Sequence, residues 1–200
     1  MRLIRFFFLA STMTTTPFYL LGQTFQDGID AYEGGDYATA AEIVEPFAYG
    51  GNGQAMLLFG TLYENGNGVP QDYAEAVNWF RLASEQGMAS AQFMLGWMYQ
   101  QGDGVPQDYA EAVNWYRMAA KQGEAWAQNS LGVMYGKGEG VPQNFTNAYI
   151  LFNLAAAQGN ENARKHREIA AEELTPDQLA EARSLSSEWE VGEPLPLQGD

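Results

Sequence analysis

Over residues 53–160, apolar and small residues return every three to four positions in stretches of about a dozen, and each stretch ends in a short run rich in Gly, Pro, Asn or Asp. An apolar period near 3.6 predicts helices. The stretches come in pairs, and the pair recurs after 36 residues. Residues 66–87 read GNGVPQDYAEAVNWFRLASEQG and residues 102–123 read GDGVPQDYAEAVNWYRMAAKQG, with 17 of 22 positions identical. Residues 138–159, GEGVPQNFTNAYILFNLAAAQG, form a third and looser copy. A fixed period of this size predicts helical hairpins stacked into a solenoid.

In each unit the pattern reads helix A, loop, helix B. Helix A is predicted over about residues 55–65, 91–101 and 127–137, with Ala55/Ala91/Ala127, Gly60/Gly96/Gly132 and Tyr63/Tyr99/Tyr135 along one face. A glycine inside a helix costs about 0.5–1 kcal/mol against alanine, so three at one register predict a close approach to helix B. Ala76/Ala112/Ala148 and Ala83/Ala119/Ala155 are the small residues expected opposite, with Tyr73, Val77, Trp79 and Phe80 filling the gaps. In the loop, Gly66 and Gly68 suit positive φ and Pro70 stops helix A. Asp72 is predicted to cap helix B with Glu75 completing a capping box; Asp108 with Glu111 repeats this, and Asn144 keeps the cap alone.

The ends depart from the pattern. Residues 23–51 form a first unit without the long loop, in which Gly34 and Gly35 break the helical pattern and Pro46 is expected to kink or end the second helix. The repeats proper are placed at 52–87, 88–123 and 124–159. After them, 160–190 reads as two polar capping helices, the second started by Thr175, Pro176 and Gln178. Residues 191–200 (VGEPLPLQGD) are expected to fray. At the other end, Arg2 and Arg5 precede the apolar run FFFLA and a small polar stretch, the pattern of an export signal over 1–22 cut before Gln23. The expected location is therefore periplasmic or secreted, with membrane attachment only if that segment stays uncleaved.

Composition narrows the partners. The formal charge is −15, which disfavours nucleic acid and anionic lipid surfaces. The chain has no cysteine, which removes disulfides and thiolate metal sites. The acidic runs at Glu161, Glu172/Glu173 and Glu188/Glu190 lack the D-x-D-x-D order of a calcium loop, so no metal and no cofactor is expected. The glycine-rich loops lack Walker spacing, and Asp72 or Asp108 would repel a phosphate. His166 is the one histidine and reads as a solvated helix residue. The serines sit in neither G-x-S-x-G nor S-x-x-K. Gln92 and Gln128 recur beside the framework and read as hydrogen bonds between helices.

The motifs A-Q-x-x-L-G-x-M-Y (91–99 and 127–135) and G-x-G-V-P-Q-[DN]-[YF] (from Gly66, Gly102 and Gly138) resemble the Sel1-like repeat family, relatives of the tetratricopeptide repeats. The resemblance implies an all-α fold, a right-handed α/α solenoid of about five helical hairpins. It also implies a non-enzymatic adaptor for a protein or peptide partner. An alternative is a cell-envelope hydrolase of the β-lactamase or penicillin-binding kind attributed to cysteine-rich relatives, and a third is an anchored chaperone-like adaptor. In related solenoids helix A lines the groove, and the positions that vary between repeats lie on its far side from the framework. That places Phe93, Trp97, Trp126, Asn129 and Lys137 as candidate partner-binding residues, with packing between repeats as the competing role for Trp97.

Overall fold

The computed structural model describes residues 22–198; the expected export signal, residues 1–21 above all, lies outside them. The described residues form ten helices and no strand: α1 (Phe25–Glu33), α2 (Tyr37–Tyr49), α3 (Gly53–Asn65), α4 (Tyr73–Glu85), α5 (Ala89–Gln101), α6 (Tyr109–Lys121), α7 (Ala125–Lys137), α8 (Phe145–Ala157), α9 (Glu161–Glu172) and α10 (Pro176–Glu188). Each helix packs on the next from α1 to α9, while α10 takes α8 as its main partner. The array is an α/α solenoid whose core runs through it as successive clusters of buried residues. Among the described residues no helix is long and apolar enough to cross a membrane.

Both glycines, the valine and the glutamine of the loop motif have a physical task. Gly66, Gly102 and Gly138 end helix A in the left-handed region at φ 67, 82 and 74°, where a side chain is strained. The following glutamine reaches back to an orphan carbonyl of helix A: Gln71 Nε2 donates to Glu64 O at 2.8 Å, Gln107 to Gln100 O at 2.9 Å and Gln143 to Gly136 O at 2.7 Å. Val69, Val105 and Val141 pack onto the core. The second glycine answers to the neighbouring repeat, since a Cβ on Gly68, Gly104 or Gly140 would fall on the carbonyl of Tyr37, Tyr73 or Tyr109, the first residue of the preceding helix B.

The last loop residue caps helix B as expected, with Asp72, Asp108 and Asn144 accepting from the backbone N–H three residues on at 3.0–3.1 Å. The capping box at Glu75 and Glu111 does not form. Its donor is the cap's own N–H, which is already given to Tyr63 O and Tyr99 O at 3.0 Å. True boxes occur at Thr24 with Asp27 and at Thr175 with Gln178.

Two further expectations change in detail. Pro46 lies inside α2, yet the helix runs on to Tyr49; so near the end it removes only one bond of the last turn. The helix A glycines face a ring rather than an alanine, because a Cβ on Gly60, Gly96 or Gly132 would stand 2.7, 2.6 or 2.6 Å from the ring of Phe80, Tyr116 or Phe152. The ring lies where a Cβ would be, and repeats 1 to 3 share the device at a spacing of 36 residues. Tyr116 alone of the three carries a hydroxyl, which donates to Gln100 Oε1 at 2.7 Å. Burial pushes that phenol's pKa far up.

Polar ladders lock the repeats to each other. Arg81 Nη2 donates to Tyr99 Oη at 3.3 Å and Arg117 Nη2 to Tyr135 Oη at 2.8 Å, each from helix B to the next helix A. Gln122 Nε2 donates to Gln92 Oε1 at 2.8 Å and Gln158 Nε2 to Gln128 Oε1 at 2.9 Å. Gln128 Nε2 in turn donates to Ala120 O at 3.2 Å, so these glutamines are structural, as their register implied.

The C-terminal tail is not frayed. Residues 191–198 lie back along the array, with Gly192 N–H donating to Lys121 O at 2.9 Å and Gln198 N–H to Asn147 Oδ1 at 2.7 Å. Leu195 and Leu197 pack against the core. Composition pointed to disorder, but two leucines and a buried amide opposite offset the ordering cost.

Candidate partner-binding site

On the helix A face, residues 36 apart form columns. Thr61, Trp97 and Val133 are one column, and Gln54, Ser90 and Trp126 another. Trp97 is 42% and Trp126 54% exposed, so both present indole surface to solvent from rigid helices. No ring contact joins them among the described residues. Lys137 is exposed too, its Nζ 3.7 Å from Glu139 Oε1.

The other two candidates are turned inward. Phe93 is half-buried against Tyr116, with ring centroids 5.8 Å apart. Asn129 is 9% exposed and its Oδ1 is 2.9 Å from His166 Nδ1. Both belong to the column of Leu57, which packs in the core clusters. That column is turned toward packed helices, and Asn129 is a structural contact to α9 and not an open one. His166 is correspondingly half-buried, with its ring 5.2 Å from Phe152. Burial and then the Lys165 charge hold its pKa below the ordinary value. The lone histidine missed its packing role because its partner lies 37 residues away in sequence.

Apolar clefts flank Trp97 along the same face. One, of about 410 Å³, lies between α1 and α3 and includes Phe25, Ile29, Leu57 and Thr61. The other, of about 250 Å³, lies between α7, α8 and α9 and includes Val133, Lys137, Phe145, His166 and Ile169. Thr61 and Val133 stand 36 residues on either side of Trp97, so one register column touches both clefts and carries an exposed indole between them. Sequence reasoning missed the clefts because each draws on two or three helices.

Nucleophile chemistry finds other uses for its residues. Ser84 Oγ donates to Arg81 O at 2.8 Å and Ser186 Oγ to Ala182 O at 2.8 Å. The partner of His166 Nδ1 is an amide oxygen. At the loops, the N–H groups of Ala74 and Glu75 that an anion would need are taken by Asp72.

The chain is 34% identical to a Sel1 repeat protein from Oxalobacter formigenes over 73% of its own length, with a TM-score of 0.68. It is 28% identical over 86% of its length to a protective antigen of uropathogenic Escherichia coli strains that displays the same type of repeat fold, with a TM-score of 0.60. The chain spans 60% and 45% of the length of those two chains. No curated protein matches it. The family model for the Sel1 repeat matches residues 53–88, 89–124 and 127–160, which covers the loop motif, the ring-facing glycines and the column of Trp97, and so the chain belongs to the Sel1 repeat family.

Proposed function

We propose that this protein is a non-catalytic interaction module that anchors a peptide or partner protein on its helix A face. Sel1 repeat proteins generally serve as protein-interaction scaffolds. The observation that carries the reading here is the column Thr61, Trp97 and Val133, with an apolar cleft at each end and the exposed indole of Trp97 in the middle. Exposed aromatics on a rigid frame are favoured anchors, because few rotors are frozen on binding. A chain of charge −15 favours a neutral or basic partner around that apolar anchor. The proposed setting is the cell envelope or the exterior, on the strength of the basic and apolar residues before Gln23; a mature N-terminus near Gln23 is its test by intact mass.

Replacing Trp97 and Trp126 together by alanine tests the site. Both side chains are roughly half exposed, so the variant keeps its helical circular dichroism while partner capture, measured by cross-linked pull-down from the native envelope fraction, falls at least about tenfold, as expected for loss of two aromatic anchors. Unfolding of the variant, or full capture by it, rules the face out.

A further inference from the structure

Residues 191–198 lie in the groove between α6 and α8, on the helix B side of the array, and they are held mostly through their main chain. Gly192 N–H donates to Lys121 O. Asn147, 1% exposed, meets Gln198 twice: its Oδ1 accepts from Gln198 N–H at 2.7 Å and its Nδ2 donates to Gln198 O at 3.0 Å. A side-chain amide that pairs with both main-chain groups of one residue recognises backbone whatever its side chain, here just past a tight turn in which Leu197 N–H donates to Leu195 O at 2.8 Å. Leu195 and Leu197, two residues apart, pack their side chains against the core. Beside them a cleft of about 640 Å³ stays open, lined by Asn114, Arg117, Met118 and Lys121 of α6 together with Pro194, Leu195 and Leu197. Two cations, Arg117 and Lys121, lie on that wall in a chain that is otherwise strongly acidic, and the segment beside it carries Glu190 and Glu193, so the groove favours acidic residues in its occupant.

We propose that the α6–α8 groove is a second binding site, for an acidic segment bearing two leucines two residues apart on either side of a tight turn, and that residues 191–198 fill it in cis as a displaceable ligand. The site is separate from the helix A face and stands or falls without it. A tethered segment acts at an effective concentration of roughly millimolar for a short linker, so a partner must outcompete the tail or meet it already released.

The test uses the full chain and a fluorescein-labelled peptide EVGEPLPLQ, the sequence of residues 190–198, read by anisotropy. The double variant Leu195→Ser/Leu197→Ser weakens the tail in cis and should bind the peptide at least about tenfold more tightly than the unaltered chain, in line with relief of that effective concentration. Gln198→Pro, which deletes the N–H that Asn147 accepts and leaves the leucines alone, should move affinity in the same direction and serves if the double variant melts. Adding Asn147→Leu to either host should cancel the gain, a peptide with both leucines changed to serine should not bind, and Trp97→Ala should change nothing. Absence of peptide binding to both released hosts, each with intact circular dichroism, or binding indifferent to Asn147→Leu, would make the tail a permanent cap and overturn the proposal. Concentration-dependent dimers of the unaltered chain that vanish with Asn147→Leu would overturn it in favour of a second copy as occupant.

Discussion

Glu111, Asn114 and Met118 on α6 correspond, 36 residues on, to Asn147, Ile150 and Leu154 on α8. On α6 these positions are half-buried or open, with Met118 at 48% exposure; on α8 they are all buried, Ile150 completely. Toward helix A the two helices are alike, each setting one ring against a glycine: Tyr116 on Gly96, Phe152 on Gly132. They differ in what covers the other side. Over α8 lie α9, α10 and the tail, and Asn153, where α6 has Arg117, ties two of them together by accepting from Arg167 at 2.9 Å and donating to Ser186 Oγ at 2.8 Å. The lesson is that a repeat's inward face follows the array, while its outward face follows its place in the array.

Exchanging outward residues should break the equivalence most sharply. Ile150→Asn places an amide in a dry site and gives up a fully buried side chain, for about 3–5 kcal/mol. Asn114→Ile, the reverse exchange on α6, should stay within about 0.5 kcal/mol. Thermal or urea melts check both, and equal costs would mean that α8 is no better covered than α6.

The inward faces should respond equally, at an intermediate size. Gly96→Ala and Gly132→Ala each press a methyl onto a ring and should cost about 1–3 kcal/mol, with similar values in urea titrations. Gly136, one turn beyond Gly132 on α7, offers the contrast: its Cβ would meet only Ala148 Cβ, at an ordinary 3.9 Å. Gly136→Ala should therefore gain about 0.5–1 kcal/mol from helix propensity. A loss there would show that the register of α7 on α8 is misplaced.

The smallest effect belongs to the last turn of helix A in repeat 1. Glu64, at the helix A position held by Gln100 in the next repeat and Gly136 in the third, has its pKa raised above the ordinary 4.5 by burial first and then by Asp103 of the following loop. A raised carboxyl favours the folded state only when protonated. Its ionisation therefore costs stability at neutral pH, and the cost fades as pH falls through the raised folded value toward 4.5. Glu64→Gln should raise the melting temperature slightly at pH 7, by an amount that shrinks on acidification in paired melts. A benefit that grows on acidification would reverse the assignment.

How much of this was legible in the sequence varies with the range of the contacts. Repeat boundaries, helix ends and the capping of helix B repeat at 36 residues and act locally, so the motif displayed them. The cover over α8 left a trace as well: Tyr149, Ile150, Leu151, Phe152 and Leu154 make a helix apolar on more than one side, a pattern that calls for a neighbour on each. It passed for mere divergence of the third copy. The tail left none, since eight residues with two prolines have no periodicity and the contact of Gln198 with Asn147 spans 51 positions. Within the candidate site, Trp97 and Trp126 were visible as variable positions, whereas variation at Phe93 and Asn129 reflects a change of partner between repeats.

The contact of Gly68, Gly104 and Gly140 with the first turn of the preceding helix B sets a unit of growth for the molecule. Each loop carries the key, and the lock is 31 residues back in the unit before. A duplicated block of 36 residues brings a fresh lock and a fresh key in phase, so every old junction survives and the new one is already solved. An insertion of another length within those 31 residues changes the spacing between the two. Lengthening by whole repeats is thus nearly free of structural invention, and the near-identity of residues 66–87 and 102–123 is the form such growth takes. The binding columns lengthen in the same steps, so reach along a partner is counted in repeats.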